Sequence, residues 1–218
     1  MTYEALKQDQ SIHALIERAD RSLIALGFTE HSFAHVGRVA DTARYILETL
    51  GYGEHEVELA QIAAHLHDIG NLVNRVQHSL TGATMAFTIL THSDMPAEDI
   101  ATVVTAIGNH DEGVGVPVNP TAAALILADK SDVRRSRVRS TDTLDFDIHD
   151  RVNYSVEQAA LTIDDSHESI TLDITIDTSY SSVMDYFEIF LERMVLCRKA
   201  AEFLGLRFKL RINGQPLI

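Results

Sequence analysis

Residues 62–70 read IAAHLHDIG, an apolar helical run that ends on an adjacent histidine and aspartate and stops at a glycine. Successive side chains on a helix point about 100° apart, so His67 and Asp68 can serve one cation only by flanking it from the end of their helix. Imidazole with carboxylate suits a divalent first-row ion such as Fe, Mn, Co or Zn, and Mg more weakly. A His-Asp dipeptide alone is weak evidence, because chance supplies it in many proteins. Its weight comes from what surrounds it.

Outward from this stretch, whose helix spans 54–68, the chain reads as helix after helix. Ile12, Leu15, Ile16, Ala19, Leu23 and Leu26 mark a helix over 9–26 closed by Gly27. Val36, Val39, Ala43, Ile46, Leu47 and Leu50 mark another over 31–50, closed by Gly51. Residues 71–78 read as a loop, followed by helices over 79–92, 97–110 and 120–139, the last two opened by Pro96 and Pro120. DEGVGVPVNP (111–120) carries two glycines and two prolines, which marks a loop suited to cover a site. The polar, acidic STDTLDFDIHD (140–150) reads as a linker. Beyond it, 152–163 and 168–177 alternate as strands around a turn at 164–167, then a helix spans 181–204 and a strand 207–213. The expected fold is mainly α: a helical bundle over 1–145, then a small ββαβ (α+β) unit over 150–218, suited to oligomerisation or to acting as a lid.

Two more residues complete a constellation. His35 lies one turn after His31 on the preceding helix, and Asp129 follows Leu-Ile-Leu-Ala on a late one. A carboxylate in so apolar a setting needs a cation or hydrogen bonds, so ligation, capping and ion pairing are all open to Asp129 taken alone. In the order HSFAHVGRVA (31–40), AHLHDIG (64–70) and ILADKSDV (126–133), the chain resembles the HD superfamily of metal-dependent phosphohydrolases over roughly residues 28–140. The resemblance implies an HD-type bundle in which His35, His67, Asp68 and Asp129 bind one divalent metal. It also implies hydrolysis of phosphomonoesters or phosphodiesters, nucleotides among them.

His78 opens QHSLTGA (77–83) and His110 ends AIGNH (106–110). Family subgroups with an H…HD…H…H…D pattern hold two ions, which implies His78 and His110 as ligands of the second and Asp68 as the bridge. The plain alternative makes His78 a loop histidine and His110 a polar helix end. A metal pair lowers the pKa of water and neutralises phosphoryl oxygens, and Asp68 would also position the nucleophile. Lys130, beside Asp129, is assigned a phosphate contact, with Arg134 one turn further on. Arg135 to Arg139 read as a solvated basic helix end that complements the helix dipole. His31 is a pocket or surface residue, and His65, on another face from His67, a packing or surface one. Two features depart from the family pattern. Asn71 stands where many members carry the lysine of HDIGK. NHDEGVGVP (109–117) is only faintly similar to the HHE…DGxGYP signature of cyclic-dinucleotide phosphodiesterases, with Asn109 and Val116 at two of its key positions.

A formal charge of −14, from 18 basic and 32 acidic residues, disfavours duplex nucleic acid as a partner. A small phosphorylated substrate, with nucleotides as candidates, and a second copy of the chain remain as partners. The single cysteine, Cys197, sits in a helical apolar pattern and excludes both an intrachain disulfide and a cysteine zinc site. The opening MTYEALKQDQ lacks a signal layout and no apolar run approaches the ~18 residues of a membrane span, so a cytoplasmic location is expected. Two functions are compatible with these features: a phosphohydrolase using one or two divalent ions, or a catalytically silent HD module that binds metal and ligand for regulation.

Overall fold

Side-chain caps and glycines set the helix boundaries. The structure, a computed structural model, describes residues 1–139 and 148–217, so positions 140–147 of the expected linker lie outside the described residues. Helix α1 (Tyr3–Gln8) precedes α2 (Gln10–Ala25), whose N-terminal amides at Ser11 and Ile12 donate to the Asp9 carboxylate. Gly27 adopts φ +79° after α2 and lets the Phe28 amide donate to the Leu23 carbonyl, a turn that ends the helix. Helix α3 (Phe33–Thr49) is capped by Ser32, and α4 (Glu54–Leu66) follows. A 3-10 turn at Ile69–Leu72 leads to α5 (His78–Thr91), α6 (Ala97–Gly108) and α7 (Pro120–Ser131).

Helices α4 and α7 are buried on nearly every face, as expected for central helices. Their contacts are lined with alanine: Ala60, Ala63 and Ala64 on α4, Ala122, Ala123, Ala124 and Ala128 on α7, and Ala40 and Ala43 on α3 are all fully buried. Small side chains bring the three helix axes close, and this carries the ends of α3, α4 and α7 to one place.

The C-terminal part is α8 (Ile148–Ser155), β1 (Val156–Ile163), β2 (Ser169–Ile176), α9 (Val183–Phe203), β3 (Arg207–Ile212) and β4 (Gln215–Pro216). The sheet order is β1-β2-β3-β4; β1 runs antiparallel to β2, while β2 and β3 are parallel and joined by α9. Ile170, Leu172, Ile174, Phe208, Leu210 and Ile212 alternate onto one buried face. Helix α9 starts with a reciprocal Ser182–Asp185 capping box and packs on both β3 and α7. The fold is thus mainly α with an α+β unit at its end, as the sequence pattern predicts.

Two differences from the sequence reading flank residues 140–147. The helix expected to reach 139 ends at Ser131, because the residues beyond it bond elsewhere. Arg134 reaches Glu30 and Asp132, and Arg137 donates to the Glu30 and Asp132 carbonyls. Residues 148–155 form α8 where a linker and a strand start were expected, since Val152 is buried and the Ser155 hydroxyl donates to its carbonyl. Among the described residues, no helix is long and apolar enough to cross a membrane.

Candidate metal centre

Four donor atoms from three helices meet where α3, α4 and α7 converge. His35 comes from α3, His67 and Asp68 from the end of α4, and Asp129 from the last turn of α7. His35 Nε2 lies 3.3 Å from Asp129 Oδ1 and 3.6 Å from Asp68 Oδ2. His67 Nε2 lies 3.3 Å from Asp68 Oδ2 and 3.7 Å from Asp129 Oδ1. Ligand bonds of ~2.0–2.2 Å place neighbouring donors roughly 3.0–3.4 Å apart, so one divalent ion fits among them with little movement.

Hydrogen bonds behind the rings fix which nitrogen faces inward. His67 Nδ1–H donates to the Ala64 carbonyl at 2.7 Å, and His35 Nδ1–H donates to Asp132 Oδ2 at the same distance. Because a carbonyl can only accept, His67 must carry a proton on Nδ1, so Nε2 is the nitrogen that faces the centre and the one that offers a lone pair whenever the ring is neutral. His35 Nε2, His67 Nε2 and Asp68 Oδ2 are buried without a hydrogen-bond partner. Unsatisfied buried polar atoms are costly, and these three point at one spot, which is what a cation would satisfy.

A second set adjoins the first. His78 Nε2 is 3.5 Å from Asp68 Oδ1 and 3.2 Å from His110 Nε2. Both rings are again pinned from behind, with His78 Nδ1–H on the Arg75 carbonyl and His110 Nδ1–H on that of Ile107. Two inward-facing lone pairs so close repel unless a cation or proton lies between them. Asp68 therefore presents Oδ2 to the first set and Oδ1 to the second, and Oδ1 also accepts from Asn71 Nδ2 at 3.0 Å. Asn71, at the position of the usual family lysine, anchors the shared carboxylate. His78 is placed by close backbone packing, since a Cβ on Gly70 would overlap the His78 carbonyl.

Residues 32–134 match the model of the HD domain, and they enclose every one of these candidate ligands. The chain carries an HD domain. It is 26% identical over 185 residues to the uncharacterized protein MJ1020 of Methanocaldococcus jannaschii, a match covering 74% of this chain and 71% of that one. Among solved structures, that of a predicted HD superfamily hydrolase from an uncultured Thermotogales bacterium is 25% identical. It covers 60% of this chain and 73% of its own, with a TM-score of 0.47.

The electrostatics of the site keep both of its carboxylates ionised. Burial opposes charging His67, but the Asp68 and Asp129 carboxylates outweigh it and hold the imidazolium up to about 10. Burial would raise both carboxyls, yet His67 beside Asp68, and Lys130 with His35 and His67 beside Asp129, hold them well below the usual range. Burial pushes His110 and His78 down, which favours neutral imidazole, the ligating form.

Residues outside the ligand set also bear on the site. Asp132, held as a carboxylate with its pKa down to about 2, sits at the end of α7; burial works against this, and the His35 hydrogen bond and Arg137 overcome it. The only sequence signal for it is its place three residues after Asp129. Lys130 is buried with its ammonium 2.7 Å from Asp129 Oδ2 and 3.2 Å from Glu112 Oε2. His65 is packed against Tyr3 and Phe33, with ring centroids 5.8 and 6.5 Å away. Arg134 pairs with Glu30 and with Asp132, the partner of His35.

A cavity of about 310 Å³ adjoins the HD centre. Its lining includes His31, whose ring lies 5.4 Å from that of His35, and Arg75, whose Nη1 is 3.5 Å from His78 Nε2. Phe28 and Arg137 line it too, with Asn153 of α8 and Phe190 and Arg193 of α9. Another hollow of similar volume, between α3 and β1 around Arg38 and Tyr45, touches none of the ligands.

Proposed function

We propose that the protein is a metal-dependent phosphohydrolase acting on a small phosphate ester. The observation that supports it most is the shared Asp68 carboxylate, with one oxygen turned to the His35–His67–Asp129 set and the other to His78 and His110. Divalent cations held there would activate a water molecule and neutralise phosphoryl charge. The protein's own residues would do the rest. The Nδ1 hydrogen bonds keep four imidazoles in one tautomer and orientation, so no reorganisation is needed when substrate arrives.

Arg75 is held by Asn71 Oδ1 at 3.2 Å and lies over the Phe28 ring, with no carboxylate at ion-pair distance among the described residues. We assign it the contact to phosphoryl oxygens. Lys130 is engaged by two carboxylates and is better suited to holding Asp129 than to binding substrate. The cavity is of small-molecule size. Phe28 and Phe190 would flank the body of the ester, with Asn153 offering hydrogen bonds, which makes nucleotides the first substrates to try.

The test is metal content of the purified protein, then turnover of p-nitrophenyl phosphate, its bis-ester and a nucleotide panel with Mn, Fe or Mg. Metal-dependent release that disappears in the His67→Ala/Asp68→Ala double variant is expected. Tight metal binding without turnover of any ester would instead establish a silent binding module.

A further inference from the structure

Helix α9 reaches the metal centre through a row of alternating charges. Arg193 Nε lies 2.6 Å from Glu112 Oε1, Glu112 Oε2 lies 3.2 Å from Lys130 Nζ, and Lys130 Nζ lies 2.7 Å from Asp129 Oδ2. The other oxygen of Asp129, Oδ1, faces His35 and His67. An ammonium fixed on Oδ2 leaves Oδ1 to coordinate and sets the tilt of the carboxylate. Lys130 is itself buried, and a buried cation needs both of its carboxylates. Glu112 in turn is shared between two cations, of which Arg193 belongs to the C-terminal unit.

The same helix meets the same loop a second time. Leu196 packs against Gly115, where a methyl group in place of the α-hydrogen would overlap the Asn109 and Asp111 carbonyls. The Gly115 amide donates to the Asp111 carbonyl at 2.7 Å, closing the turn directly after His110. Helix α9 thus grips the segment that carries one ligand and, through Glu112, the side chain that orients another.

We infer that Arg193 is a positioning residue of the metal centre: through Glu112 and Lys130 it fixes the Asp129 carboxylate, and with Leu196 it holds the loop bearing His110. Metal affinity therefore depends on the C-terminal unit. This rests on the metal-binding half of the function proposed above and not on turnover.

Full-length protein and its Arg193→Gln, Arg193→Lys and Glu112→Gln variants are stripped with chelator and titrated with Mn²⁺ by calorimetry. Their metal-free melting temperatures are measured alongside, as is hydrolysis of p-nitrophenyl phosphate at saturating Mn²⁺. Arg193→Gln and Glu112→Gln are each expected to weaken Mn²⁺ binding roughly tenfold with little change in metal-free melting, and Arg193→Lys to recover most of the loss. Parental Mn²⁺ affinity in both glutamine variants overturns the inference. So does a raised KM with affinity unchanged, which would make Arg193 a ligand contact alone. Should Arg193→Gln fail to fold, the near-isosteric Glu112→Gln decides by the same readouts. A parent that binds no Mn²⁺ removes both this inference and the proposed function, whereas a parent that binds Mn²⁺ without hydrolysis removes only the latter.

Discussion

The Nδ1 atom of His35 lies 2.7 Å from Asp132 Oδ2, across 97 residues of sequence. A carboxylate behind a ligating imidazole fixes its orientation and raises its basicity, and losing such a partner costs typically ~10–100-fold in metal affinity. Asp132→Ala should show a loss of that size in a Mn²⁺ titration. Asp132→Asn keeps an acceptor oxygen and should lose less. Equal affinities for both variants and the parent would remove Asp132 from the site.

Gly70 allows α5 to start against the turn that follows Asp68. A methyl group there would overlap the backbone of His78 and crowd Gly82, and neither backbone atom can rotate away. Gly70→Ala should lower stability by about 1–3 kcal/mol in urea unfolding, the usual range for overpacking. It should also displace His78, so that metal stoichiometry falls while the His35–His67–Asp129 set is kept. An alanine variant with parental stability would show that the turn and helix can separate without cost.

Much of this centre was legible from sequence because each ligand sits in a local pattern. His35, His67 and Asp129 lie on helices whose apolar period is set by near neighbours, and the H…HD…D order adds the family context. The partners were not legible. Asp132 stands at a helix end, Glu112 in the Gly/Pro-rich loop and Arg193 on the late helix, with no local pattern that marks them, and only tertiary approach pairs Asp132 with His35 and Glu112 with Lys130 and Arg193. The helix boundary at Ser131 was missed for the same reason: KSDVRRSRVR holds good helix formers, but its arginines bond to the distant Glu30 and its backbone. Helix α8 is short and polar, so its sequence carries little periodic signal, and packing of Val152 decides it.

His65 gives the fold an acid sensitivity unrelated to metal. Burial pushes its pKa down to about 4, and neither ring nitrogen has a hydrogen-bond partner. The folded value lies below the unfolded one near 6.5, so the unfolded chain takes up the proton first. The associated stability is complete above about pH 6.5 and is lost as pH falls toward 4, amounting to roughly 3 kcal/mol. In chelator, His65→Gln should show a flatter decline in urea-unfolding free energy across this window than the parent. Parallel pH profiles would show that His65 does not titrate differently on folding.

His67 should report cation binding through its proton. In the metal-free protein Asp68 and Asp129 overcome burial and hold its pKa up to about 10, above the unfolded value. That contribution to stability is fully present below about pH 6.5 and is lost as pH rises through 10. A cation needs the Nε2 lone pair, so the proton must leave when the ion arrives. Calorimetric titration with Mn²⁺ near pH 8, in buffers of different ionisation enthalpy, should count about one proton released by this group, and affinity should rise up to roughly tenfold per pH unit between about 7 and 9. A buffer-independent enthalpy together with a flat affinity profile would mean that His67 is already neutral before the ion binds, and that its two carboxylate neighbours hold no proton there for the cation to displace.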